Sequence, residues 1–203
     1  MLLLAGMLTP PSLQNTDGTL NMVVEIPKWS RTKVECATRE PFNPLKLDSK
    51  NGAVRTYSHG DMLFNYGFLP QTWEDPEHVH PDTGAGGDND PLDVVELGMR
   101  AWPVGTVLRV KPLGIMAMID GGETDWKLLT VAVSDPIAPM LSNLDDLHIQ
   151  LPGAVAATHR WFRLYKWPEM NSFAFSGQAQ DRQYAERIIA ETHVAWRKLV
   201  DKE

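Results

Sequence analysis

Two periodicities divide the chain. Early on, apolar and polar residues alternate: "NMVVEIPK" and "RTKVECAT" are rich in β-branched residues and parted by a short polar break, which predicts two strands. In the second, Lys33 and Glu35 share one face and Val34 and Cys36 the other. An Asn-Gly turn leads into a short predicted strand at Ala53 to Tyr57, and longer strands follow at "PLDVVEL", "TVLRVKPLGIMAMID" and "DWKLLTVAV", with Gly121 and Gly122 turning between the last two. Before them runs "LPQTWEDPEHVHPDTGAGGDND", a loop dense in Pro, Gly and Asp and of a length that usually carries function. Towards the end the period becomes helical. "AVAATHRWFRLY" and "DRQYAERIIAETHVAWRKL" predict two helices, the second with Tyr184, Ile188, Ala195 and Leu199 on one stripe beside Ile189, Thr192 and Trp196. Short strands followed by helices predict a mainly β (α+β) fold, a small barrel or curled sheet with two flanking helices near the C-terminus. With no repeat, linker or low-complexity tract, the expected layout is an extended N-terminal lead over 1–20 and one domain over 21–203.

Composition narrows the chemistry. A formal charge of −7 gives no basic face for nucleic-acid phosphates, so any phosphate bound must be met by a few placed cations or by metal. The single cysteine, Cys36, excludes an internal disulfide and a cysteine-rich zinc site, and its alternation with Val34 predicts a small buried side chain. "MLLLAGML" lacks a basic flank and falls short of the roughly 18 apolar residues of a membrane span. It reads as a start or a remnant of a longer chain, and a soluble protein is expected.

The acidic residues are where the pattern departs from what folding alone needs. "GGDNDPLDVVEL" sets Asp88, Asp90 and Asp93 inside six residues, a spacing at which like charges repel. A calcium loop does not fit, because its fifth, sixth and twelfth positions would be Leu92, Asp93 and Met99. Zinc does not fit either: His78 and His80 have no third partner nearby and read as a solvated loop. An all-oxygen cluster suits magnesium or manganese, often shared with substrate phosphate. One aspartate here would be a turn residue; three, with Asp93 entering an apolar strand, weaken that reading. Asp120 ends a strand, and Asp125 and Lys127 share a face opposite Trp126 and Leu128. Alone these read as a turn and an exposed ion pair of little worth. Arg55, Tyr66, Tyr165 and Lys166 form a third, basic and phenolic group, none of them diagnostic singly.

Together, "MVVEIPKW", "NYGFLPQTWEDP", "GDNDPLDV", "LGIMAMIDGGETDWK", "WFRLYKWP" and "FAFSG" resemble, in order and approximate spacing, the family I soluble inorganic pyrophosphatases of eukaryotic type. The resemblance runs from about Asn21 to about Leu199, and its ordered set is far more specific than a lone D-x-D-P. It implies a five-stranded OB-type β-barrel and hydrolysis of pyrophosphate to two orthophosphates by a multi-metal, metal-bound hydroxide mechanism. By resemblance, Asp88, Asp93 and Asp125 hold the metals that carry the nucleophile, and Asp120, Glu35 and Glu25 hold or orient the others. Asp90 is the general base; Lys33, Arg55, Tyr66, Lys127, Tyr165 and Lys166 contact phosphate, and Lys33, Arg55, Tyr66 and Lys127 count with Asp90 as catalytic. Mg2+ is the implied cofactor, with Mn2+ or Zn2+ as substitutes. Pyrophosphate is the implied partner, with no nucleic acid or membrane, in a homo-oligomer taken first as a dimer. A cytoplasmic location is expected, or an organelle if a targeting extension precedes this chain.

Two departures stand out. Met62 occupies a position where the family often has tyrosine, and most of the eukaryotic type's N-terminal strand and C-terminal tail are missing from this sequence. The charges nevertheless support the reading. Seven carboxylates (Glu25, Glu35, Asp88, Asp90, Asp93, Asp120, Asp125) against four cations (Lys33, Arg55, Lys127, Lys166) leave −3. A substrate of about −4 makes roughly −7, which three or four divalent ions would balance. The competing readings are a metal-dependent hydrolase of polyphosphate or nucleotide, an OB-type module stacking bases on its tryptophans, and an inactive homologue that binds metal. The absence of a Walker-type loop, the net charge and the completeness of the charged set count against them in turn.

Overall fold

The computed structural model describes residues 11–202. In chain order the strands are β1 (Leu20–Ile26), β2 (Val34–Cys36), β3 (Leu45–Leu47), β4 (Ser49–Lys50), β5 (Ala53–Val54), β6 (Asn65–Phe68), β7 (Asp93–Glu96), β8 (Val107–Asp120), β9 (Glu123–Ala132), β10 (Ser172–Phe173) and β11 (Gln180–Asp181). The helices are α1 (Leu144–Gln150), α2 (Ala154–Leu164) and α3 (Arg182–Val200). Five strands close a ring in the order β1, β6, β7, β9, β8, with β8 returning to β1 through Leu20↔Val110 and Val23↔Val107. All neighbours are antiparallel except β7 and β9, which run parallel with Asp93 opposite Lys127. A register shift between Pro112 and Gly114 lets the fourteen-residue β8 bend, so that one half pairs with β1 while the other continues beside β9 to Asp120. Ring closure leaves few free strand edges, and β10 and β11 cap the far side of β8.

Alternation along the strands divides the core. Val24, Val94, Trp126 and Leu128 pack under α3 with Ile188 and Ile189. Val95, Leu129 and Val131 face the other way and meet Trp161 and Phe162 of α2. Both expected helices are present, and a third, α1, precedes them; Asn143 caps it by accepting the Asp146 N–H. Only seven residues long, it carries too little periodicity to read from sequence. The strand expected at Ala53 to Tyr57 is shorter than anticipated: Ala53 and Val54 pair with Lys50 and Ser49, and beyond them Thr56 makes an isolated bridge to Thr32. The expected N-terminal lead lies outside the described residues over 1–10, and residues 12–19 turn back, with Gln14 bridged to Leu20. Among the described residues, no helix is long and apolar enough to cross a membrane.

Candidate active site

The barrel presents one face of β6, β7 and β9 to a cleft of about 550 Å³, walled by β2, by the loop before β7 and by the C-terminal end of α2. All thirteen residues singled out from sequence line it, although they come from segments as distant as Glu25 and Lys166. What they do to one another sorts them into three clusters.

The first lies on the barrel. Asp93 begins β7, Tyr66 sits in β6, and Asp125 and Lys127 alternate with Trp126 and Leu128 on β9, so period two delivers both charged side chains to the cleft. Lys127 is 1% exposed and donates to Asp93, Asp125 and the Tyr66 hydroxyl, which in turn donates to Asp93. Its ammonium also lies 5.1 Å from the Phe162 ring centroid. Burial alone would drive its proton off, but Asp125 and Asp93 outweigh burial and hold it charged. The exposed ion pair that Asp125 and Lys127 suggested in sequence is therefore a buried network, because the aromatic wall of α2 covers it. Burial, followed by the charge of Asp93, raises the Tyr66 pKa.

A second cluster gathers at the loop. Asp88 accepts the backbone N–H of Asp90 at 3.0 Å, and burial together with Asp93 pushes its pKa up to about 7. Asp90 is exposed at the cleft surface, and enclosure by the cleft walls and then Asp93 raise its pKa. Burial and Asp93 likewise raise Glu25, whose carboxylate accepts the Cys36 N–H at 2.7 Å. The sequence reading missed a further carboxylate here, Glu74. It is 3% exposed, and one carboxylate oxygen of each of Glu74, Asp88 and Asp125 lies within 4.8 Å of the others. Its only sequence signal is an acidic residue flanked by Trp73 in the long loop; the proximity itself is tertiary.

The third cluster is basic. Lys33 donates to Glu35 at 2.6 Å and to Asp48 at 2.9 Å, while Arg55 donates to Asp48 at 2.6 Å. Asp48, also missed, reads in sequence as part of a turn. Lys166 and Tyr165 both donate to Asp120, the phenol at 2.7 Å. Tyr57, a third omission, lines the same cleft with its ring edge-on to Trp161 and Tyr165. Met62, by contrast, is fully buried in the core beside Phe64, so it offers the cleft nothing polar.

Two further sequence expectations change. His80 does not sit in a solvated loop: it is 8% exposed, edge-on to Trp126 at 5.1 Å, and burial lowers its pKa. Cys36 is half-buried, and burial followed by Glu25 pushes its thiol up to about 12, leaving it a poor nucleophile.

The donor set fits divalent cations. Carboxylate oxygens dominate, a buried glutamate oxygen has no protein partner, and burial followed by the charge of Asp93 pushes the Asp88 pKa up to about 7.

Comparison with known proteins gives the same picture. A family model described as inorganic pyrophosphatase matches residues 22–197. Inorganic pyrophosphatase 1 of Caenorhabditis elegans is 50% identical over 198 residues, covering 94% of this chain and 46% of its own length. The Candida albicans inorganic pyrophosphatase is 46% identical over 201 residues, 95% of this chain and 70% of that protein. The chain thus spans just under half of the nematode relative. Among solved structures, the Schistosoma japonicum inorganic pyrophosphatase superposes with a TM-score of 0.89 at 46% identity, covering 93% of this chain and 70% of that one. An N-terminally truncated Trypanosoma cruzi vacuolar soluble pyrophosphatase in complex with PPi also gives 0.89, at 44% identity over 98% of this chain and 77% of that one.

Proposed function

This chain belongs to the inorganic pyrophosphatase family, and on that premise we propose that it hydrolyses inorganic pyrophosphate to two orthophosphates, with Mg2+ as its cation. One observation carries the reading: thirteen residues scattered from Glu25 to Lys166 line a single cleft in which carboxylates outnumber cations. Pyrophosphate repels an anionic nucleophile, so the site must neutralise charge and hold the reacting atoms in line.

Asp88, Asp93, Asp125, Asp120, Glu35 and Glu25 are the residues proposed to hold divalent cations, which when bound would offset the substrate's charge and acidify water. Asp90 is the proposed general base. Supporting it, Asp90 is exposed to the cleft and its raised pKa brings a carboxylate nearer to neutral proton affinity. Arg55 uses one nitrogen on Asp48 and keeps the rest of its fork for a phosphate; Lys33 and Lys166 keep free N–H bonds in the same way. Lys127 holds Asp93 and Asp125 apart in a fixed geometry and presents positive charge to the leaving phosphate. Tyr57, Trp161 and Phe162 form the aromatic wall that limits water around these groups.

Phosphate release from pyrophosphate over a magnesium titration tests the proposal, with EDTA and Asp90→Asn as controls. Magnesium-dependent release is expected, with kcat falling about 10²- to 10⁴-fold in the variant while the fold persists. A folded, magnesium-saturated protein that releases no phosphate would overturn the reaction; near-normal turnover by Asp90→Asn would overturn only the role of Asp90.

A further inference from the structure

We infer that Glu74 is a further carboxylate of the metal centre, holding a divalent cation jointly with Asp88 and Asp125. The inference rests on the pyrophosphatase reading only for the expectation that a cation is present.

Glu74 Oε1 accepts the Trp126 N–H at 2.9 Å, and this bond satisfies half of the carboxylate. The other oxygen, Oε2, is buried and has no partner, and no other buried side-chain oxygen or nitrogen among the described residues is in that position. A carboxylate oxygen stripped of water and left bare is costly, so such atoms ordinarily mark a missing ion or water. The bare group lies in the one set of three potential metal-ligating side chains that converge among the described residues, with Asp88 and Asp125. Lys127 donates to Asp93 and Asp125 but to neither Asp88 nor Glu74, so no protein cation bonds this side of the cluster.

The backbone holds this arrangement without help from an ion. Glu74 N–H donates to Asp90 O at 2.9 Å, Asn89 N–H donates to Glu74 O at 3.0 Å, and Thr124 N–H donates to Gly86 O at 2.7 Å. Gly87 lies so close to the Glu74 main chain that any side chain there would collide with it. Glu74 is thereby tied both to the loop that carries Asp88 and to the strand that carries Asp125. Three carboxylates braced together have two ways to lose their repulsion: a shared proton or a cation.

Glu74→Gln separates these. The amide keeps the oxygen that accepts from Trp126 and adds an N–H donor, so it mimics the protonated acid while removing the charge. Mn2+ binding without substrate, followed by electron paramagnetic resonance and calorimetry, is compared in the wild type, Glu74→Gln and Asp88→Asn. The tightest site is expected to weaken about 10- to 100-fold in Glu74→Gln, while the metal-free melting temperature stays level or rises. Wild-type affinity and stoichiometry in Glu74→Gln would overturn the inference and leave the proton as the occupant. Should that variant not fold, Glu74→Asp keeps the charge but shortens the reach: weakened Mn2+ binding supports the inference, and unchanged binding overturns it. Phosphate release by the wild type is scored separately, so loss of the catalytic reading and loss of this one give different results.

Discussion

Lys127 is 1% exposed between Asp93 and Asp125, on strands that belong to the closed barrel, whereas Lys33 keeps 27% of its side chain in water between Glu35 and Asp48, beside a three-residue strand. Both lysines are bonded to two carboxylates, yet their surroundings differ. The first cluster is enclosed by Phe162 and Tyr66 and anchored by ladder hydrogen bonds on both sides of β7 and β9. The second rests on the two-stranded pairs β2 with β3 and β4 with β5, which lie outside the main sheet. Equal numbers of ion pairs therefore do not mean equal stability: the barrel cluster is part of the core, and the hairpin cluster is an adjustable surface near it.

The sharpest way to break this contrast is to remove one lysine charge from the core. Lys127→Met should leave Asp93 and Asp125 buried without compensation and cost about 3–5 kcal/mol in metal-free urea denaturation. A loss below 1 kcal/mol would show that the network is freely solvated. A gentler change belongs to the other side. Arg55→Lys should raise KM for pyrophosphate about tenfold through loss of its forked donor, while stability moves by no more than about 0.5 kcal/mol. A stability loss as large as that of Lys127→Met would erase the distinction.

The pH dependence of stability has opposite signs on the two sides. The Asp88 pKa rises on folding from 3.8 to about 7, so the folded state binds its proton more tightly; its contribution is present below pH 3.8 and is lost as pH rises towards 7. Asp48 shifts the other way: burial opposes ionisation, but the hydrogen bond and charge of Lys33 prevail and lower its pKa. Its contribution is present above pH 3.8 and is lost as pH falls through the depressed value. Metal-free denaturation midpoints between pH 3 and 8 should therefore decline towards neutrality, and Asp88→Asn should flatten that decline. Asp48→Asn should lower the midpoints above pH 3.8 and matter progressively less as the pH falls below it. A decline that survives in Asp88→Asn would assign it to another carboxylate.

What sequence could and could not reveal follows the same division. Long strands such as β8 and β9 announce themselves because alternation persists for ten residues or more. Strand β6 did not, since "NYGF" is four residues long and contains a glycine. The thirteen residues taken from the ordered motifs and the resemblance they carry do line one cleft. Glu74, Asp48 and Tyr57 escaped because nothing near them in sequence marks their role: Glu74 depends on Gly87 crossing behind it, and Asp48 on two cations from separate segments. His80 was misplaced for a related reason, as its burial comes from Trp126, 46 positions along the chain.

The parallel alignment of β7 with β9 has a bearing on assembly of the chain. With Asp93 opposite Lys127 and Val94 opposite Leu128, the pairing sets charge beside charge and hydrocarbon beside hydrocarbon. Sliding either strand by one residue would turn every side chain to the other face and carry the ammonium of Lys127 under α3, among Ile188, Ile189 and Leu92. Hydrocarbon pairs alone tolerate such slippage; a buried lysine does not. The charges that serve the cleft thus also act as a register key, rejecting misaligned barrels while the chain is still folding.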